Sequence, residues 1–160
     1  MEKQEQYRLL QKQLIALLED EHDPIANMAN MSALLYQTLP DVNWVGFYRY
    51  ENEELILGPF QGKPACMHIP YGKGVCGLCL KEERMVRVDD VLDFPNHIAC
   101  DCDSRSEIVI PLWHRQKIIA VLDIDSPILQ RFDEADEIGL SKLTTILENS
   151  WNLAKLKMSI

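Results

Sequence analysis

The sequence predicts an α+β fold, an antiparallel sheet sandwiched with N- and C-terminal helices. Two observations carry this. Both ends of the chain place apolar residues at helical spacing, and the middle alternates with a period of two between tight turns. The 160 residues are 47% hydrophobic, enough for one domain over 1–160 with a core of ordinary size. Candidate linkers are a few residues long, and no internal repeat or low-complexity segment interrupts the pattern.

The elements follow in order. Residues 3–18 set Tyr7, Leu10, Leu14, Leu17 and Leu18 on one helical face. Asp23-Pro24 has the form of an N-cap with proline at the first helical position, opening a helix to about Gln37 that Leu39-Pro40 ends. "NWVGFYRY" alternates around Val45 and Phe47 and predicts a strand. A tight turn near Glu51-Asn52-Glu53 leads into a second strand, "EELILGPF". "ACMHIPYG" is short and extended, and "GKGVCGLCLKEER" is a glycine-rich turn running into a short helix that ends near Arg84. "MVRV" is a brief strand, and "DDVLDFPNHIAC" is mostly loop. "SEIVIPLWHRQKIIAVLDIDS" gives two apolar strands about a turn at Arg115-Gln116. Asp133 caps a final helix, "EADEIGLSKLTTILENSWNLAKL", with Ile138, Leu143, Ile146 and Leu147 as its apolar stripe.

Charge and composition exclude some functions. A net charge of −9 argues against nucleic acid as a partner, because phosphate neutralisation needs a basic surface. No apolar run approaches a membrane span, and "MEKQEQYRLL" is too polar for a signal peptide, so a cytoplasmic protein is expected. Five cysteines in such a setting are not a structural disulfide framework.

Four of those cysteines form a C-x-x-C (Cys76, Cys79) and a C-x-C (Cys100, Cys102). Four thiolates, with His68 and His97 in reserve, could hold zinc. Such sites favour C-x-x-C at both ends, however, and one pair falls in a predicted helix. Inert buried thiols are the bland alternative. A C-x-x-C oxidoreductase needs a βαβ context that the meander lacks. The remaining reading is an attacking thiol with a resolving partner. Cys100 lies in a loop between a turn and a strand, where a rigid sheet can present chemistry, and Cys66 and Cys76 lie in segments able to fold back to it.

"FQGKPACMHIPYGKGVCG", "NHIACD", "SEIVIPL" and "IIAVLDIDSP" together resemble the free methionine-(R)-sulfoxide reductase family, GAF-fold enzymes acting on the R epimer of the free amino acid. The resemblance runs from "NWVGFYRY" to "RFDEADEIGLSKL". It implies that the three family cysteines are Cys66, Cys76 and Cys100. Cys100 is implied as the thiol that attacks sulfur, and Cys66 and Cys76 as those serving disulfide formation and resolution. Cys79 and Cys102 depart from the family pattern and are expected to be dispensable. The implied partners are free methionine sulfoxide and thioredoxin or a similar dithiol. No cofactor and no metal are expected. GAF domains often pair through their terminal helices, so a homodimer is expected. A non-enzymatic GAF sensor binding a small ligand is the alternative, and such a sensor normally carries an output domain.

The substrate is a zwitterion, and the residues offer matching chemistry. Glu107, Asp123 and Asp125 are candidates for its ammonium and for the proton that the departing oxygen needs; Asp123 and Asp125 are two apart on a strand and share a face. "GKGVCG" opening a helix offers backbone N–H groups to the carboxylate. Trp44 and Tyr48, four apart on a strand, offer an apolar wall for the S-methyl group and match the family's pocket aromatics. Asp101 and Asp103 oppose a Cys100 thiolate, which a bound ammonium or a helix N-terminus would offset.

Overall fold

The helices and strands that the sequence marks out form, and most of their boundaries follow from local chemistry. A computed structural model describes residues 1–95 and 102–151. The elements are α1 (Lys3–Leu18), α2 (Pro24–Thr38), β1 (Trp44–Glu51), β2 (Glu54–Gly62), β3 (His68–Pro70), α3 (Gly74–Glu82), β4 (Val86–Val88), a short 3₁₀ turn (Val91–Asp93), β5 (Ser106–His114), β6 (Lys117–Ser126) and α4 (Glu134–Ser150). At the start of α2 the Asp23 side chain accepts from the Ala26 amide at 2.9 Å, with Pro24 next to it in the first turn. A capping box between Asp133 and Asp136 opens α4.

Among the described residues the six strands form one antiparallel sheet in the order β3-β2-β1-β6-β5-β4. Its two central hairpins turn on Asn52-Glu53 and Arg115-Gln116, all four with positive φ, as two-residue hairpin loops require. Strand alternation then divides the interior. Val45 and Phe47 of β1, with Ile108, Ile110, Leu122 and Ile124, meet α1, α2 and α4 in the larger core. Trp44 and Tyr48 point the other way, with Val109 and Val121, and pack against Val75, Cys76, Cys79 and Leu80 of α3. The fold is therefore α+β, with the terminal helices on one face and α3 on the other.

Three sequence expectations need correction. Leu17 is 42% exposed, because the buried stripe of α1 is Tyr7, Leu10, Leu14 and Leu18. Ile138 is 52% exposed. It lies five residues before Leu143, about 140° round the helix at roughly 100° per residue, and so faces water. The buried side of α4 is Asp136, Gly139, Leu140, Leu143, Thr144 and Leu147. Finally, α4 stops at Ser150, earlier than its apolar periodicity suggests. The Ser150 hydroxyl donates to the Leu147 carbonyl at 2.7 Å and competes with the helix ladder there. Trp151 turns away in an extended conformation. The rest of the predicted helix lies outside the described residues.

One polar knot ties α1 to α4. Tyr7 donates its hydroxyl to Asp136 Oδ1 at 2.6 Å, and Lys3 Nζ donates to Oδ2 at 2.8 Å. Above it, the Tyr7 ring lies flat on Gly139: a Cβ there would stand 2.2–2.5 Å from three ring carbons. In an exposed helix interior Gly→Ala stabilises by about 1 kcal/mol. Here Gly139→Ala is expected to destabilise by about 1–3 kcal/mol through overpacking. Thermal or urea unfolding checks the sign, and a rise in stability would contradict the close packing.

Candidate functional site

The second face of the sheet carries a cleft, and its walls come from three parts of the chain. Trp44 and Tyr48 supply one wall, Glu107, Asp123 and Asp125 the floor, and the first turn of α3 the other wall, with Pro64, Ala65, Ile69 and Ser104 at the edges. Of the candidate site residues, the structure brings together Trp44, Tyr48, Glu107, Asp123, Asp125 and Cys76. Cys100 lies outside the described residues, as do His97 and Asp101.

Strand register builds the floor. Glu107 on β5 pairs across to Asp125 on β6, which pairs to Trp44 on β1. One row further on, Val109, Asp123 and Gly46 are aligned. Directly opposite residues share a face, so the three carboxylates and the indole face one way. A bulge makes this possible. The hairpin register at the turn pairs Trp113 with Ile118, then shifts so that Leu112 meets Ala120. Ile119 is the extra residue, and it joins Ala120 in the larger core. Carried through without the shift, the turn register would set Glu107 opposite Ile124 and turn Asp123 and Asp125 to the other face from it.

The aromatic wall depends on missing side chains. A Cβ on Gly46 would stand 2.6 Å from Trp44 Cη2 and 2.3 Å from Phe60 Cβ, and one on Gly62 2.6 Å from Trp44 Cδ1. The indole fills that space, stacked on Phe60 at 5.2 Å and Tyr48 at 5.9 Å between centroids. Their polar tips then hold the 63–67 loop: Trp44 Nε1 donates to the Lys63 carbonyl at 3.1 Å and Tyr48 Oη to the Cys66 carbonyl at 3.0 Å. Lys63 also pairs with Asp103 at 2.9 Å, tying this loop to the segment before β5. Cys66 is disulfide-bonded.

The third wall is the start of α3. Gly72 and Gly74 take positive φ values of 76° and 64° on either side of Lys73, which makes the abrupt entry into the helix. Among the described residues no side chain caps the first turn. Gly74, Val75 and Cys76 line the cleft there, so the helix N-terminus offers open N–H groups and a positive dipole end to an anion.

The electrostatics of the floor are unusual. Glu107 and Asp123 are each 6% exposed and Cys76 is 4% exposed. Burial first, and Asp125 second, push the Glu107 carboxyl well above the usual range. Burial first, then facing Glu107, does the same to Asp123. The Cys76 thiol is raised well above its ordinary value by burial and then by Asp123, Glu107 and Asp125. One donor atom from each of Cys76, Glu107 and Asp123 lies within 4.8 Å of the others. Asp123 Oδ1 is buried without a hydrogen-bond partner among the described residues. Such an acceptor is costly to bury empty and is suited to an N–H donor from a ligand.

Cys79 and Cys102 are free thiols, the first buried and the second exposed. Burial raises Cys79 to about 12 despite Arg84. Sequence reasoning did not single out Gly46, Gly62, Phe60, Lys73 or Ser104. The glycines within an aromatic strand pair were the available signal for the indole seat.

The raised carboxyls fix a pH dependence. Unfolded Asp and Glu titrate near 4. Both groups are raised in the folded protein, so their penalty is absent below about pH 4 and stability is lost as pH rises through the folded values. Asp123→Asn and Glu107→Gln remove the titrating group. Each variant should melt higher than the parent, by a margin smallest near pH 4 and growing toward about pH 8. Thermal melts across that range check this. A margin that shrinks with rising pH contradicts it.

Comparison with known proteins places the geometry. The GAF domain family model matches residues 14–150. The free methionine-R-sulfoxide reductase of Escherichia coli (strain K12) is 50% identical over 148 residues, 92% of this chain and 90% of that one. Among solved structures, the fRMsr of Staphylococcus aureus in complex with substrate is 56% identical, with a TM-score of 0.87 over 90% of this chain and 94% of that one. The free methionine-R-sulfoxide reductase from Neisseria meningitidis, in complex with its substrate, superposes with a TM-score of 0.93 at 42% identity, covering 98% and 94% of the two chains.

Proposed function

Because this chain belongs to the GAF domain family and, within it, to the free methionine-R-sulfoxide reductases, we propose that it reduces free L-methionine-(R)-sulfoxide to methionine. The observation that carries the reading is the convergence of three unlike surfaces in one cleft. The uncapped start of α3 suits the α-carboxylate, the buried carboxylates with the open Asp123 Oδ1 suit the ammonium, and the Trp44–Tyr48 wall suits the S-methyl group. A methionine sulfoxide within a polypeptide has neither free terminus and cannot satisfy the first two.

In this mechanism the Cys100 thiolate attacks the sulfoxide sulfur while a carboxylic acid protonates the oxygen. Glu107, whose carboxyl burial and then Asp125 push well above the usual range, is suited to that donation. The hydroxyl then passes from the substrate sulfur to the Cys100 sulfur as the old S–O bond and the new S–S bond break, so methionine leaves with the electron pair and Cys100 is left as a sulfenic acid. A second thiol condenses with it, expelling water and forming a disulfide. A thioredoxin-type dithiol then exchanges with that disulfide and leaves oxidised. Cys66 is the thiol we assign to the condensation. It is already disulfide-bonded, and its loop is held by the two aromatics that would bind substrate. Cys76 is a free thiol facing Asp123, and its raised pKa makes it a poor attacking group. The reading carries with it a cytoplasmic setting with a role against oxidative stress, and a homodimer through the terminal helices.

Two measurements test this. With a dithiol as reductant, the R epimer of free methionine sulfoxide should turn over and the S epimer should not. Equal turnover of both, or of neither, rejects the reading. In single turnover without reductant, Cys100→Ser should yield no methionine. Cys66→Ser should still yield about one per site but fail in steady state, because only recycling needs the disulfide. One methionine per site from Cys100→Ser would displace it as the nucleophile.

A further inference from the structure

Cys76 is the conspicuous group that this mechanism leaves idle. It sits on α3, with Glu107 on β5 and Asp123 on β6, so three separate rigid elements aim a sulfur and two oxygens at one point. We propose that Cys76, Glu107 and Asp123 form a three-ligand site for a thiophilic divalent cation of the zinc class, and that this ion and the substrate ammonium exclude one another. The metal site stands on the geometry alone; only the exclusion of substrate rests on the reductase reading above.

The donor set fits such an ion. Tetrahedral zinc takes one sulfur at about 2.3 Å and oxygens at about 2.0–2.2 Å, which requires donors within roughly 4 Å of each other. The three atoms here already lie within 4.8 Å, so a small side-chain adjustment closes the set. The thiolate selects zinc, cobalt or cadmium over magnesium or calcium, which prefer oxygen. Burial favours the ion further: two carboxylates and a thiolate brought together in a dry floor repel one another, and a dication relieves that as it displaces their protons to solvent. Asp123 Oδ1 is the second indication, an acceptor with no hydrogen-bond partner among the described residues in a residue that lines the cleft. Three protein ligands leave the fourth position open to the cleft. The thiolate also lies in the first turn of α3, where the helix dipole favours an anion.

Cobalt(II) is the probe, because a thiolate-bound tetrahedral ion shows near-ultraviolet sulfur-to-metal charge transfer and intense visible bands. Reduced protein should take up one cobalt per chain with both signatures, zinc should displace it and magnesium should not. Cys76→Ser should remove the charge-transfer band, and Glu107→Gln and Asp123→Asn should weaken binding about tenfold or more. Cys79→Ser and Cys102→Ser should leave the spectrum unchanged. The two amide variants keep the test decisive if Cys76→Ser fails to fold. A band that persists in Cys76→Ser, disappears in Cys79→Ser or Cys102→Ser, or never forms overturns the site. Free methionine should bleach the bands, and an equal concentration of free alanine, which chelates cobalt in solution similarly, should not. Bands that survive saturating methionine overturn the exclusion. An inactive protein that still shows Cys76-dependent bands keeps the metal site while rejecting the reductase reading, and active protein without bands does the reverse.

Discussion

Three carboxylates on one face of the β5–β6 pair, two of them buried beside a thiol, are the constraint on which the rest of this structure depends. Apolar burial of such groups is unfavourable when they are charged, and it holds the Glu107 and Asp123 carboxyls well above the usual range. The larger core on the opposite face of the sheet, where α1, α2 and α4 pack, supplies the stability that lets this face stay strained. The two faces thus divide the work: one packs the sheet against three helices, and the other gathers carboxylates in a cleft.

The aromatic wall and the cysteine loop are mechanically one unit. Gly46 and Gly62 vacate the space that the Trp44 indole takes, and the indole stacks between Phe60 and Tyr48. The Nε1 of Trp44 and the hydroxyl of Tyr48 then fasten the backbone at Lys63 and Cys66. A shift of the Tyr48 ring carries the Cys66 carbonyl with it, and a shift of the Trp44 ring the Lys63 carbonyl. Under the proposed reaction, recognition of the apolar end and placement of Cys66 are coupled through these two hydrogen bonds.

Much of this was legible in the sequence. Period-two alternation put Trp44 with Tyr48 and Asp123 with Asp125 on shared faces, and the caps at Asp23 and Asp133 appeared where their side chains demanded. The alignment of Glu107 with Asp123 and Asp125 was not derivable that way. A hairpin closed by Arg115-Gln116 has an obvious register, and that register puts Asp123 and Asp125 on the opposite face from Glu107; only the bulge at Ile119 brings them together. Glu107 was offered as a candidate because a substrate ammonium calls for carboxylates, and the bulge is the physical reason it lies beside Asp123 and Asp125. Leu17 and Ile138 were misplaced for a related reason: an apolar residue near the edge of a helical stripe reads as buried until the packing partner is known.

The central claim is that the buried carboxylates select a free ammonium. Its most direct measurement compares kcat/KM for free methionine-(R)-sulfoxide with that for its N-acetyl derivative, which keeps the sulfoxide, the methyl group and the carboxylate. The account predicts a loss of about a hundredfold or more, because a charge-assisted hydrogen bond in a buried site is lost and its partners are left unsatisfied. Comparable turnover of the two would show that Glu107, Asp123 and Asp125 do not read the amino group, and would contradict the account.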